Sequence, residues 1–199
     1  MRIALLGTRG IPASYGGFET FAEELSVRLV ARGHEVAVYC RKRYELPKYR
    51  GIEIRYIPTI RHKYLDTLAH TFASTFHLLR QRTDVALYCN AANAIFTIVP
   101  RMAGIPVALN VDGIERRRRK WNVLARAWYR ISEYLSTILP NRFVTDAQAI
   151  QQYYRARYGR DSTFIPYGAD AVREPTQGAL RALGLEPPVE HGPARRPVG

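Results

Sequence analysis

Cysteine is nearly absent. Cys40 and Cys89 are the only two in 199 residues, with no CxxC and no Cys/His cluster at zinc-ligand spacing, so neither a disulfide scaffold nor a structural zinc site is expected. Both close short apolar runs, Val36-Ala37-Val38-Tyr39 and Val85-Ala86-Leu87-Tyr88. They read as buried, reduced thiols, which favours a cytosolic location. No apolar run reaches the ~18 residues that cross a bilayer. The chain opens directly on a strand pattern rather than a charged-then-apolar leader, and a cytoplasmic protein, peripheral on the inner face of the cell membrane, is expected. Acidic residues are scarce as well: 17 Asp and Glu against 30 Lys and Arg leave a net charge of +13. That balance suits an anionic partner such as a phosphorylated small molecule, anionic lipid or nucleic acid.

The apolar content of 47% supports a packed core in a chain of this length. Short apolar runs alternate with segments of helical period. Strands are predicted over 2–7, 35–40, 52–57, 85–88, 106–110, 142–145 and 163–165. The first helix carries Phe18, Phe21, Ala22, Leu25 and Leu29 on one stripe and ends at Gly33, a C′ glycine. Later helices are expected over 64–81, 92–103, 120–139 and 147–158. Alternating β and α elements with continuously apolar strands predict an α/β, doubly wound, mostly parallel, Rossmann-like sheet. Such a sheet binds ligands at the carboxyl ends of its strands.

Three polar loops fall at such ends: the one after the first strand, Asn90, and the turn Val111-Asp112-Gly113. The first reads Gly7-Thr8-Arg9-Gly10-Ile11-Pro12-Ala13-Ser14-Tyr15-Gly16-Gly17-Phe18-Glu19-Thr20. A strand hands over to a helix here, where free N–H groups and the helix dipole favour an anion. Glycine lets a ligand approach the backbone closely. The spacing is not GxGxxG, and no acidic residue ends the second strand, which closes Tyr39-Cys40-Arg41; a dinucleotide is therefore disfavoured. No Gly-Lys-Ser/Thr occurs, so it is not a Walker A loop. The plain alternative is a tight turn, but two adjacent glycines opening a helix on the ligand edge favour a site. Asp112 reads equally as an Asx-turn residue or as a ligand-facing carboxylate able to hold sugar hydroxyls.

The histidines show no metal-ligand pattern, and His70 and His77 on one helical face read as packing. In the helix over 120–139, Trp121, Leu124, Trp128, Ile131, Leu135 and Ile138 form an apolar stripe expected to face the core. The block Arg116-Arg117-Arg118-Arg119-Lys120 with Trp121 beside it reads either as a solvated face or as a membrane or anion patch. Nucleic acid is disfavoured as a partner, because the aromatics lie on core-like stripes and no recognised motif appears. Beyond Glu174 the Pro- and Arg-rich sequence has no periodicity and is expected to be disordered.

The motif at 7–20, together with Asn-Val-Asp-Gly-Ile-Glu at 110–115 and Phe-Ile-Pro-Tyr-Gly-Ala-Asp at 164–170, resembles the N-terminal domain of GT4-type (GT-B fold) glycosyltransferases, in the bacterial rhamnosyltransferase-like or domain-of-unknown-function subgroup. The resemblance covers about 1–175. It implies a single GT-B half that holds the acceptor, facing a second domain that binds a nucleotide-sugar across a cleft. It further implies a metal-independent, retaining transfer to a lipid-linked or polysaccharide acceptor in surface glycan synthesis, with no cofactor beyond the donor substrate. Gly16 and Gly17 would approach the donor diphosphate, with Arg9, Glu19 and Asn90 in the same substrate-binding set. The loop of Asp112, the catalytic candidate, takes the place where many relatives carry a pocket histidine. Residues 176–199 do not resemble the family's second domain. A truncated, frame-shifted or split enzyme, inactive alone and paired with a separate second-domain polypeptide, is therefore expected. The alternative is a non-catalytic module for anionic lipid or saccharide.

Overall fold

A computed structural model describes residues 1–14, 16–60, 62, 65–114 and 123–168. The elements below belong to the unit Met1–Tyr167. In chain order they are β1 (Arg2–Leu6), α1 (Gly17–Ala31), β2 (Glu35–Cys40), β3 (Lys48–Tyr49), β4 (Ile52–Tyr56), α2 (Asp66–Leu78), β5 (Val85–Cys89), a 3₁₀ segment (Ala91–Thr97), α3 (Ile98–Met102), β6 (Val107–Val111), α4 (Val123–Ser136), β7 (Arg142–Thr145), α5 (Gln148–Tyr158) and β8 (Thr163–Phe164).

The strands form one eight-stranded sheet in the order β3-β4-β2-β1-β5-β6-β7-β8. Every pair is parallel except β3 with β4. From β1 the chain winds outward through β2 and β4, then returns across the sheet to β5 and winds the other way. This is the doubly wound α/β order predicted, and it puts the reversal of direction between β1 and β5, where such sheets form their ligand crevice.

Alternation along the strands divides the interior between two faces. On β1, Leu5 joins Val36, Val38, Cys40 and Ile52 beneath Ala22, Leu25 and Leu29 of α1. Ala4 and Leu6 face the other way, with Tyr88, Leu109, Phe143, Leu78 of α2 and Tyr154 of α5. Helix α1 ends as its sequence predicts, with Gly33 at φ 81° donating to the Val30 carbonyl.

Helix α4 departs from the expected orientation. Its buried residues are Tyr129, Ser132, Glu133 and Ser136. Leu124 is 80% exposed and Ile131 54% exposed, so those two members of the predicted stripe point to solvent, whereas Trp128, Leu135 and Ile138 are half-buried and Leu135 packs against the core as expected. The polar face is buried because Glu133 Oε2 accepts from the hydroxyls of Tyr153 and Tyr158, both at 2.9 Å. The two predicted packing histidines differ from each other: His70 is wholly buried, whereas His77 Nδ1 lies 3.0 Å from the Tyr39 hydroxyl. The helix expected over 92–103 is a 3₁₀ segment followed by one short α-helical turn. The stretch from 176 onward lies outside the described residues.

Candidate functional site

The loop after β1 is built almost entirely from its own backbone and a few buried anchors. Gly7 and Gly10 have φ of 90° and 110°, in the region that favours glycine. A Cβ on Gly7 would lie 2.4 Å from the Cys89 carbonyl oxygen, and one on Gly10 would lie 2.6 Å from Cys40 Cβ. The loop therefore presses on both neighbouring strands. Thr8 Oγ1 accepts from Gly10 N–H at 3.1 Å. Cys40 Sγ accepts from Ile11 N–H at 3.4 Å. Burial pushes the Cys40 thiol up to about 11, so it serves as packing and not as a nucleophile. Glu19 is buried, and its Oε1 accepts from Arg9 N–H at 3.0 Å; Glu23 Oε2 accepts from Ala13 N–H at 2.7 Å. Both carboxylates reach back from α1 to brace the loop that precedes it.

At the loop's far end Gly16 is the N-cap of α1, at φ 93° and with no side-chain cap hydrogen bond. Gly17 follows with no atom within 4 Å of where its Cβ would be. Thr20 turns both its N–H and its hydroxyl onto the Gly16 carbonyl, each at 3.3 Å. Glu19 Oε2 would lie 3.1 Å from a Cβ on Gly16, so a buried carboxylate borders the helix start; the first N–H groups of this 15-residue helix carry no side-chain cap and are of the kind that binds an anion.

Register puts the other strand ends beside it. Leu6 pairs with Tyr88, Cys89 with Asn110, Val111 with Thr145, and Thr145 with Phe164. The residues that follow therefore line one edge. Asn90 has φ 75°, a strained value for a residue with a side chain, of a kind that clusters at functional sites. Its Oδ1 accepts from Ala92 N–H at 2.9 Å and caps the 3₁₀ segment. Tyr167 closes over the edge: its ring stacks on Phe21 of α1 at 4.8 Å, and its hydroxyl accepts from Asn110 Nδ2 at 3.0 Å. Asn110 Oδ1 is buried and makes no hydrogen bond, an unmatched acceptor of the kind functional sites retain. The negative charge of Asp112 reaches both Cys89 and Tyr167. Burial raises each of those groups first, and Asp112 adds to the shift, so thiol and phenol stay protonated. Asp146, at the end of β7, has its carboxyl raised by burial against the pull of the Asp146 and Ala147 N–H groups.

Beneath the loop lies a polar strut. Arg41, just past β2, donates its backbone N–H to the Arg9 carbonyl at 3.1 Å. Its guanidinium donates to Asp66 Oδ2 at 2.7 Å and to Thr67 Oγ1 at 3.1 Å, in the first turn of α2. His70, one turn further on, is held near pKa 4 by burial and by the Arg41 charge, and is neutral at pH 7.

A family model described as "Domain of unknown function (DUF1972)" matches residues 1–170. The chain belongs to the DUF1972 family. No curated protein matches this DUF1972 domain, whereas solved structures do. It is similar to sucrose-phosphate synthase from Thermosynechococcus elongatus, at 16% identity and TM-score 0.69, over 92% of this chain and 52% of that one. It is also similar to Anabaena HepE in complex with UDP, at 16% identity and TM-score 0.62, over 92% and 50%. A third likeness is to WaaG, a glycosyltransferase involved in lipopolysaccharide biosynthesis, at 14% identity and TM-score 0.64, over 92% and 51%. These likenesses establish the fold, that of a single GT-B half. The domain spans about half the length of the structures it matches.

Of the candidates read from sequence, Arg9, Gly16, Gly17 and Glu19 share the first loop and helix turn, and Asn90 and Asp112 lie along the same strand-end edge. Glu19 is engaged inside the loop, and Asn90 caps the segment after it. Arg116, Arg117, Arg118, Arg119, Lys120 and Trp121 lie outside the described residues. Among the described residues no group of three or more His, Cys, Asp or Glu could hold a metal ion. Sequence reading passed over Asp146, and met Asn110 and Tyr167 only as members of the motifs at 110–115 and 164–170, without assigning them a role. Asp146 carries the same signal as Asp112, an aspartate directly after a strand, whereas the reach of Tyr167 to Asn110 spans 57 positions and leaves no local pattern.

Proposed function

We propose that this DUF1972 domain is the acceptor-side half of a retaining glycosyltransferase that moves a sugar from a nucleotide-sugar to a lipid-linked or polysaccharide acceptor in surface glycan synthesis. The observation that carries the reading is the uncapped N-terminus of α1 behind Gly16 and Gly17, next to the point where strand order reverses. In this reading the donor diphosphate lies against the first N–H groups of α1. As the bond from anomeric carbon to oxygen breaks, the diphosphate takes the bonding pair, and the helix dipole stabilises the charge that builds on it. Arg9 adds to that potential. Asp112 and Asn90, along the same edge, orient the acceptor hydroxyl or the sugar. HepE structures hold UDP, and UDP with glucose, which supports a uridine-diphosphate sugar as the donor class. The nucleotide grip belongs to the opposite half of the cleft, on a second domain or a separate polypeptide, and turnover needs both. The protein works in the cytoplasm at the inner face of the membrane, and the nucleotide-sugar is a substrate, with no further cofactor.

Amide NMR of the full chain titrated with uridine diphosphate tests this. The Gly17, Phe18 and Glu19 N–H resonances are expected to shift saturably, and Gly17→Val to weaken the response at least fivefold while the fold is kept. Because the nucleotide grip lies on the other half, the binding is expected to be weak; shifts absent at these amides with both uridine diphosphate and inorganic pyrophosphate carried to their solubility limits remove the reading.

A second reading, a surface for anionic lipid, is favoured by the outward apolar residues of α4. Val123, Leu124 and Ile131 are exposed beside Arg126 and Arg130, and the basic run Arg116–Lys120 precedes them in sequence.

A further inference from the structure

A groove of about 620 Å³ opens beside the strand-end edge, between the segment that follows β4, the first half of α2 and the 3₁₀ segment. Ile60, Leu65, Leu68, Ala69, Phe72 and Phe96 line it. The polar exception in its described lining is Thr59, whose hydroxyl donates to the Asp66 carbonyl at 2.8 Å and is satisfied within the wall. Among these described lining residues a sugar or phosphate would find no free partner, and would lose hydrogen bonds to water on entering. Ile60 is 61% exposed and Phe72 is exposed as well, its ring packed beside Phe76 and Phe96.

Position decides what occupies it. The wall is fastened to the glycine loop: Arg41 holds the Arg9 carbonyl with its backbone and the start of α2 with its guanidinium. Phe96 stands six residues along the 3₁₀ segment from Asn90, or ~12 Å at about 2.0 Å per residue. An amphiphile with its head at Asn90 would have the reach to lay its tail in the groove. We propose that the groove holds the hydrocarbon chain of the acceptor, an alkyl or isoprenoid tail carrying the saccharide that is extended. This rests on the glycosyl-transfer reading and narrows its acceptor to a lipid-linked one.

The test is calorimetric titration of the full chain with octyl, decyl and dodecyl maltosides below their micelle concentrations, with maltose as the control. Affinity is expected to rise by up to about fourfold per added methylene until the groove is filled, with maltose alone undetected. Ala69→Trp fills the groove, and Ile60→Asp charges its exposed rim without touching the core. Each is expected to weaken dodecyl maltoside binding at least tenfold, with the circular dichroism unchanged. Equal affinity across the series, or binding indifferent to both variants, overturns the proposal. So does a concentration-dependent dimer that Ile60→Asp abolishes, which gives the groove to a second copy. Binding to neutral vesicles but not to monomeric maltosides gives it to a bilayer and also overturns the proposal. The uridine diphosphate shifts at α1 are read independently, so failure of the groove leaves the transfer reading standing, and failure of those shifts leaves the groove measurable.

Discussion

At Gly10 one hydrogen atom separates the loop from a strand. Its φ of 110° and the 2.6 Å approach of a would-be Cβ to Cys40 Cβ make two independent demands for glycine. Backbone strain of this kind costs about 1–3 kcal/mol, and forced overpacking about 1–3 kcal/mol more. Gly10→Ala is thus expected to lower stability by about 3 kcal/mol in urea unfolding. Gly17 is the contrast, since open space surrounds its Cβ position, so replacing it leaves stability within about 1 kcal/mol while obstructing the helix N-terminus. A loss of stability at Gly17 as large as at Gly10 would mean that both glycines serve the turn and neither serves a ligand. The sequence shows two kinds of glycine in one motif without saying which is which. Only the contacts with Cys40 and Cys89, brought in from other strands, separate them.

Helix α4 is the element where sequence and structure part most. Its apolar stripe predicts a core face, yet of its described members only Trp128, Leu135 and Ile138 turn inward, Leu124 and Ile131 are exposed, and Glu133 is buried. Two tyrosines of α5 supply the hydroxyls that make a buried carboxylate tolerable. Hydrogen bonds to a charged group contribute about 1.5–3 kcal/mol each, with incomplete additivity. Glu133→Ala is therefore expected to cost about 3 kcal/mol by thermal or chemical unfolding, and Tyr153→Phe distinctly less. A cost below about 1 kcal/mol for Glu133→Ala would show that these bonds do not orient the helix. Periodicity found nearly every other element, because strands buried on both faces and helices with one apolar face write their burial into local sequence. It missed β3, whose two residues are too few to show alternation. It merged the 3₁₀ segment with α3, because an Ala-rich run reads as α-helix until Asn90 is seen capping it. At the edge, the loops were legible as strand ends, whereas the Tyr167–Asn110 bond and the Arg41 strut depend on pairings no local window contains.

For the whole molecule the net charge of +13 and the outward side of α4 bear on the same question. A cationic protein with exposed Leu124 and Ile131 is expected to float with vesicles containing phosphatidylglycerol and not with purely zwitterionic ones. Leu124→Ser with Ile131→Ser should cut the bound fraction at least fivefold at low salt. If the double variant floats like the wild type, the charge acts without α4 and the lipid-surface reading fails in this form. Among the described residues the sheet begins and ends on two-residue strands, with antiparallel β3 on one side and β8 on the other. So short a border offers an incoming strand little to pair with. The domain is thereby poorly suited to extend its sheet into another chain, whether in aggregation or in domain exchange. Any association with another chain is left to the loops and helix ends, the parts whose sequence can vary without disturbing the sheet that carries them.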